Sequence, residues 1–553
     1  MAPSPDAPPQ SNNAAAKSDS DAEVLERDVP VSQSLIWKRQ RDFYLERGVK
    51  AWSEDQVPSY VTNNPFIAEV YARIVAAYLR DYIAIGRAEG QPLSAANPLR
   101  ILELGAGTGK FSYLFLGELE KLLRGLGMEP TVVRYCMTDS ADSVLDEWRR
   151  NDYLAQFVAK GMLQFELFRA GEPMQSPFLV GTRGPLVVIA NYVFDSLPHD
   201  AFRIDDQQMS EFLMTSSISD VHAGAASGDE SRTSALKFSF RNALVPPGRY
   251  ANPLWNRILD GYRTRLSPAA QGHPITLLFP SGSLAALQEI VRFSDGRMLV
   301  LAADKGFAHE DLLALSQLPP AFEFHSGNCF SQLVNLDAIG KYFEFTGGSV
   351  LRPDKHTAHF NVCGLLANRE GDHFAATESA YRETQQAFGP DDLFTVLAWL
   401  NAHMEEMTVP QILAVLRMTR WDSTAFMRLF PVLARQLRAV VVERYDLREA
   451  AERVWANHYP VSHRDNGLAF QCGVVLLELK FFEDAAAMFR ASQKLLGPSA
   501  PASYNLGLCA AGLGRREEAL AAMKEACELD RQFQPAQDAL KKLEGENAPG
   551  VLK

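Results

Sequence analysis

The sequence lacks the features that mark several large protein classes. No apolar run in its 553 residues approaches the ~18 needed to cross a bilayer as a helix; the longest, such as 298–303, have the length of a strand. An integral helical membrane protein is therefore excluded. Cysteine is scarce: Cys136, Cys329, Cys363, Cys472, Cys509 and Cys527 are scattered without a Cys-x-x-Cys pair. That is neither a disulfide framework nor a zinc-finger spacing, and it predicts a reducing, cytoplasmic location. Positive charge is in the minority, with 55 Lys and Arg against 67 Asp and Glu and a net charge of -12. A surface that grips nucleic acid as a whole is excluded on that balance, and no nucleic-acid or membrane partner is expected.

The first 30 residues lack the charged start and apolar core of a secretory signal. They hold five prolines and six acidic residues, with Lys17 and Arg27 the basic ones, which also argues against a mitochondrial presequence. The composition reads as a disordered tail over 1–31. Gly-x-Ser-x-Gly elbows and Gly-Lys-Ser/Thr phosphate loops are missing, so hydrolase and nucleotide triphosphatase readings have no support. His325, His356 and His359 have no carboxylate at a recognisable metal spacing and read as structural. The basic run Lys38-Arg-Gln-Arg41 reads as one solvated helix face.

What is present is ample core material, 47% hydrophobic residues, and a length that suggests three to four domains at ~150 residues each. Helical spacing appears at 34–45 and again at 65–82, where Ile67, Val70, Tyr71, Ile74, Val75 and Tyr78 recur every three or four residues. From residue 100 strands and helices alternate: strands at 100–104, 132–138, 163–168 and 186–190, helices at 110–126 and 143–159. Continuous apolar strands separated by helices predict a parallel sheet covered on both faces. The rhythm then breaks into an antiparallel meander at 201–204, 209–215 and 236–240, with a Gly/Ser/Asp-rich loop at 216–234 predicted to be mobile. It resumes with a helix near 283–293 and a strand at 298–302.

After about Gly389 the chain turns almost wholly helical and repeats itself. Ala439, Gly473 and Gly507 are 34 residues apart, as are Tyr445, Leu479 and Leu513, and Trp455, Phe489 and Met523. The same spacing links Glu449, Glu483 and Glu517, and Ala451, Ala485 and Ala519. Small residues let paired helices approach and large ones fill the gap between neighbours, a period and pattern that resemble the tetratricopeptide repeat. The predicted organisation is a domain over 32–375 with a helical lid at 32–95, a helical bridge at 389–438, repeats at 439–545 and a tail at 546–553.

The segment Leu99-Arg-Ile-Leu-Glu-Leu-Gly-Ala-Gly-Thr-Gly-Lys110 carries the most chemistry. A buried strand ends in Glu103, and Gly105, Gly107 and Gly109 form a tight loop opening a helix, where the backbone can approach a ligand with no side chain between. The spacing Gly-x-Gly-x-Gly differs from the Gly-x-Gly-x-x-Gly of dinucleotide folds. It resembles motif I of class I methyltransferases that use S-adenosylmethionine (SAM), which implies a Rossmann-like α/β fold, a loop wrapping the methionyl part of SAM, and an acid organising its ammonium end. Glu103, Gly105, Ala106, Gly107 and Gly109 are the corresponding residues. A second acid belongs at the end of the next strand, where Asp139 precedes Ser140; it accepts from the ribose hydroxyls, caps the following helix, or does both. Phe168-Arg-Ala-Gly-Glu172 offers no obvious acid for the adenine amino group.

After the fourth strand, Ala190-Asn-Tyr-Val-Phe-Asp-Ser-Leu-Pro-His199 resembles the Asn-Glu-x-x-Asp-Ala-Leu-Pro segment of the MidA-like family of SAM-dependent methyltransferases, related to the mitochondrial complex I assembly enzyme. The likeness, with Phe202, Glu211 and Ala303-Asp-Lys-Gly306, covers residues 57–366. It implies that Asn191 and Asp195 face cofactor or substrate, with Asp195 an orienter or general base, and that the Tyr60 loop closes over SAM. Tyr192 stands where that family has glutamate and Lys305 where it often has tyrosine. Since the family's best-known activity is methylation of protein arginine, and a guanidinium must be held by carboxylates, losing one acid bears on acceptor choice and not on SAM binding. Three readings follow: a protein methyltransferase whose repeats recruit the substrate (arginine leading), a small-molecule methyltransferase, and a non-catalytic scaffold. The repeats are equally suited to forming a homodimer.

Overall fold

The computed structural model describes residues 22–545 apart from 55–56, 58–59, 91, 173–175, 181–183, 206–207, 220–235, 268, 270–272, 316–319, 326–328 and 462–466. The chain opens with strand β1 (Ala22–Pro30), pairing antiparallel with a later strand, and helix α1 (Leu35–Arg47). The tail reading therefore fails for 22–30, and residues 1–21 lie outside the described set. A strand held at a sheet edge by backbone bonds to residues ~190 positions away has no signature in local composition. Glu26 of β1 fixes α1: its carboxylate accepts from Leu35 N (2.8 Å), Ser216 Oγ (2.7 Å) and Ser34 Oγ.

A one-turn helix α2 (Lys50–Ser53) precedes helix α3 (Pro65–Ala88), which starts where Asn64 accepts from Phe66 N and Ile67 N and proline occupies the first turn. Its stripe from Ile67 to Tyr78 is buried in the main core against helix α4 (Lys110–Gly125), so α3 is a core helix and not part of a lid. Strands β2 (Leu99–Leu104), β3 (Val133–Asp139), β4 (Leu163–Leu167), β5 (Gly184–Asn191) and, later, Ser294–Asp304 form a parallel sheet. Reversed strand Asn361–Ala367 and then Ser349–Leu351 extend it to seven strands. Every residue of β2 is buried, as two helical layers require. The helix expected over 143–159 is two, α5 (Asp142–Arg149) and α6 (Asp152–Ala159), because Asn151 turns its side chain onto Tyr153 N and Leu154 N and starts a second helix.

Strands β6 (Asp200–Asp205), β7 (Gln208–Ser219), β8 (Leu236–Leu244) and β9 (Ile275–Phe279) join β1 in a second, antiparallel sheet. Residues 216–219, expected in the loop, are strand; 220–234 of that loop fall outside the described residues. Helix Ala375–Gln385 returns to α3, with Asp81 accepting from Ala376 N (3.1 Å) and Thr377 N (2.8 Å), so the first domain continues past 375.

Beyond it the described chain is helical from Pro390 to Gly545. Helices Leu468–Glu478, Phe482–Leu496, Ala500–Gly512 and Arg516–Leu529 pack in sequence. A Cβ at Gly473 would stand 2.7 Å from the Phe489 ring, and one at Gly507 2.8 Å from Met523, the same contact 34 residues on. In the earliest register copy a 3-10 turn, Leu437–Ala439, stands where a helix is expected, and Val441 and Val442 are exposed. Among the described residues no helix is long and apolar enough to cross a membrane.

Candidate active site

The parallel sheet reverses its direction of winding between β2 and β5: β3 and β4 extend to one side and Ser294–Asp304 to the other. A crevice opens at the carboxyl ends of strands at such a reversal, because the loops there part in opposite directions. Here it is a cleft of about 680 Å³.

Its floor is the loop after β2. Gly105, Gly107 and Gly109 have φ of 62°, 55° and 79°, the left-handed region that L side chains rarely adopt. Space is short too, since a Cβ at Gly109 would meet Met137 at 2.9 Å. The loop is tied down from behind. Ala106 N donates to Thr138 O (2.9 Å), Gly107 N to Asp139 Oδ2 (3.2 Å), and Trp148 Nε1 to Gly107 O (2.9 Å). Glu103 is buried and accepts from Tyr135 OH (2.8 Å) and Ser112 Oγ; burial raises its carboxyl to about 7. Asp139 Oδ1 accepts from Ser140 N (2.7 Å) and Ala141 N (3.4 Å). Helix α5 has no side-chain cap, so Asp139 clamps the glycine loop to β3 instead of capping a helix. Ser140 borders the cleft beside it.

Asn191 closes β5. Its Oδ1 accepts from Tyr71 OH (2.9 Å), while among the described residues its buried Nδ2 has no acceptor. A desolvated donor left unmade costs ~1–3 kcal/mol, a cost that an acceptor on a ligand in the cleft would relieve. Tyr192 follows at φ 52°, a left-handed non-glycine residue whose N donates to Ala303 O (2.8 Å). This reversal delivers Asp195, in the turn Phe194–Ser196, to the cleft wall. Ser196 Oγ donates to Asp195 Oδ1 (3.0 Å), and Asp304, fully buried behind, accepts from Phe194 N (3.0 Å). Burial raises Asp195 to about 6 against the pull of Ser196 and Lys305; burial and the charge of Asp195 hold Asp304 well above the usual carboxylate range. Lys305 Nζ, on the cleft, bonds both oxygens of Glu323 (3.0 and 3.2 Å).

The structure thus gathers Glu103, Gly105, Ala106, Gly107, Asp139, Ser140, Asn191 and Asp195 around one cleft, with Gly109 at the loop's exit. Tyr60 is not among them. Its hydroxyl donates to Asp422 (3.1 Å) and its ring meets Phe394, because the helical region supplies it a partner away from the cleft. Its neighbours Thr62 and Asn63 reach the cleft instead. Sequence reading missed Phe168 and Arg169, which border the cleft after β4, and Trp37 and Tyr44 of α1. An aromatic residue at the end of β4 was the available signal for the first; nothing local signalled the α1 pair. Tyr44 OH lies 3.1 Å from Cys329 Sγ, and His325 turns to Ser331 Oγ (3.0 Å).

Residues 80–275 match a family described as putative S-adenosyl-L-methionine-dependent methyltransferase. The enzyme is a SAM-dependent methyltransferase. No curated protein matches the chain. Among solved structures, a Burkholderia thailandensis protein bound to S-adenosyl-homocysteine is similar at 17% identity and TM-score 0.36, covering 59% of this chain and 73% of its own. An uncharacterized protein from the same organism is similar at 16% identity and TM-score 0.37, covering 63% and 89%. The CurJ carbon methyltransferase gives 11% identity and TM-score 0.23, covering 53% and 54%.

The cleft's own chemistry suits SAM. It offers buried carboxylates for a cationic amino group and for hydroxyls, the aromatic Phe168, and the unpartnered amide of Asn191.

Proposed function

We propose that this methyltransferase acts on a polypeptide, with an arginine side chain as acceptor, and that tetratricopeptide-like helix pairs in the C-terminal region recruit it. In this reading Glu103 faces the SAM ammonium, Asp139 the ribose hydroxyls and Phe168 the adenine, while Asn191 and Asp195 border the methyl and its acceptor. SAM, when bound, supplies a methyl group on positively charged sulfur that needs no further activation.

The observation that carries the reading is the charge arrangement past Asn191. A cation, Lys305, borders the cleft with Asp195: it bonds Glu323 directly, and its charge opposes the rise that burial imposes on the Asp195 carboxyl. An incoming guanidinium, always charged and with five donors in a plane, replaces that ammonium with two-point hydrogen bonds. Glu323 thereby supplies a carboxylate that Tyr192 does not. Asp195 accepts the acceptor's N–H, turns its lone pair toward the methyl, and takes the proton released after transfer. Asp304, bound to the Phe194 amide, holds the turn that presents Asp195. The regularity of the Gly473–Phe489 and Gly507–Met523 contacts supports a stacked-repeat surface for extended peptides.

The test is methyl-labelled SAM incubated with the enzyme and cell extract. Label on a polypeptide, mapped to arginine by mass spectrometry and lost in Asp195→Asn, is the expected result. Label confined to the low-mass fraction would replace this reading with that of a small-molecule methyltransferase.

A further inference from the structure

The cofactor loop is held from a second direction, by the helical region. Residues 457–461 follow helix Arg444–Ala456 and run onto the back of the glycine loop. Tyr459, buried, donates its hydroxyl proton to Thr108 O (2.7 Å) and accepts from Asn151 Nδ2 (2.9 Å). The same oxygen lies 3.0 Å from where a Gly109 Cβ would be. Thr108 is also held on its side chain, where Asn63 Nδ2 donates to Oγ1 (3.1 Å). Around Tyr459 the contact is extensive. Its ring meets Tyr113 and Tyr153 at 5.3 and 5.5 Å, Tyr153 OH lies 2.9 Å from His458 Nδ1, and Tyr113 OH donates to Ala456 O (3.1 Å).

A loop with three left-handed glycines has many accessible backbone states, and its bound shape is cheap only if something fixes its peptide planes. Gly107 is fixed by Asp139 and Trp148 from within the sheet domain. The next carbonyl, Thr108 O, is fixed from 351 positions away in sequence by Tyr459. We propose that Tyr459 is a positioning residue for the SAM loop, so that docking of residues 457–461 and SAM binding favour each other. The inference rests on SAM use alone and not on the acceptor's identity. By linkage, breaking the Tyr459–Thr108 bond weakens SAM binding by the same factor as SAM tightens that contact.

The experiment is calorimetric titration of SAM into the full-length chain and two variants. Tyr459→Phe removes the bond to Thr108 O; Tyr113→Phe removes a bond across the same interface that does not touch the loop. The expected result is SAM affinity about fivefold weaker in Tyr459→Phe, as for loss of one neutral hydrogen bond, and unchanged in Tyr113→Phe. Equal affinity in Tyr459→Phe, or equal weakening in both, would overturn the proposal. Hydrogen exchange on the unaltered chain gives a readout independent of any variant's folding: saturating SAM should slow exchange at amides 457–461 as well as at 105–110. Protection confined to 105–110 would also overturn it. An unaltered chain that binds no SAM would instead count against the cofactor assignment itself.

Discussion

At the glycine-loop end of the cleft the site is made of backbone. Three glycines in left-handed conformations and a carboxylate at the end of each of two neighbouring strands lie within 37 residues of one another, from Glu103 to Asp139. At the other end it is made of side chains from separate stretches: Tyr44 on α1, Asp195 after β5, Lys305 after Ser294–Asp304 with Glu323 as its ion-pair partner, then His325 and Cys329. A backbone site demands particular residues in a fixed local order, because only glycine tolerates those dihedrals. A side-chain site demands only that the fold bring the right groups together, so its chemistry can change without touching the glycine loop.

The largest effect that separates the two ends is expected from Gly107→Asp. It forces a side chain onto φ 55°, sets a Cβ 3.4 Å from Trp52, and adds a carboxylate beside Asp139. Strain of ~1–3 kcal/mol plus an uncompensated charge should weaken SAM binding by more than ~100-fold in a calorimetric titration. Retained binding would place SAM elsewhere. Asp195→Asn should do the opposite: kcat down ~100-fold with SAM affinity within about twofold, as for loss of a general base or orienter. A matching loss of SAM affinity would merge the two ends into one.

A third expectation uses pH. Glu103, raised to about 7 by burial, must be ionised to face an ammonium, and binding lowers it again. SAM binding then expels a proton below pH 7, and affinity should weaken about eightfold between pH 7.5 and pH 6, a dependence that Glu103→Gln flattens. The sign for folding is reversed. The folded carboxyl keeps its proton up to about 7 while an unfolded one loses it near ~4.3, so this group's contribution to SAM-free stability declines as pH rises through that window. A flat binding profile would remove Glu103 from the ammonium site. The smallest effect is expected from Tyr60→Phe. It loses a bond to Asp422, at ~0.5–1.5 kcal/mol of stability, and should change SAM affinity by less than twofold. A tenfold change would return the Tyr60 loop to the cofactor.

Legibility in the sequence followed the same division. β2, the glycine loop, Asp139 and Asn191 were readable because each is determined by neighbours a few positions away. The split between α5 and α6 was missed although its cause, Asn151, is local: a capping side chain overrode helical spacing. β1 read as a tail because its hydrogen bonds go to β7, and Tyr60 read as a lid because its partner, Asp422, is in another region of the chain. Glu323 had no signal at all, being two residues from His325 in a segment without periodicity.

The sequence by itself determined the parallel sheet's order of elements, the glycine loop and the 34-residue period of the helical region, since hydrophobic period and glycine's conformational freedom are local properties. Only the tertiary structure decided that Asp195 and Lys305 share one end of the cleft, that Glu323 pairs with Lys305, that α3 is core, and that Tyr459 reaches Thr108. Those are meetings of residues far apart in the chain, and their geometry is fixed by packing rather than by any pattern a short segment can carry.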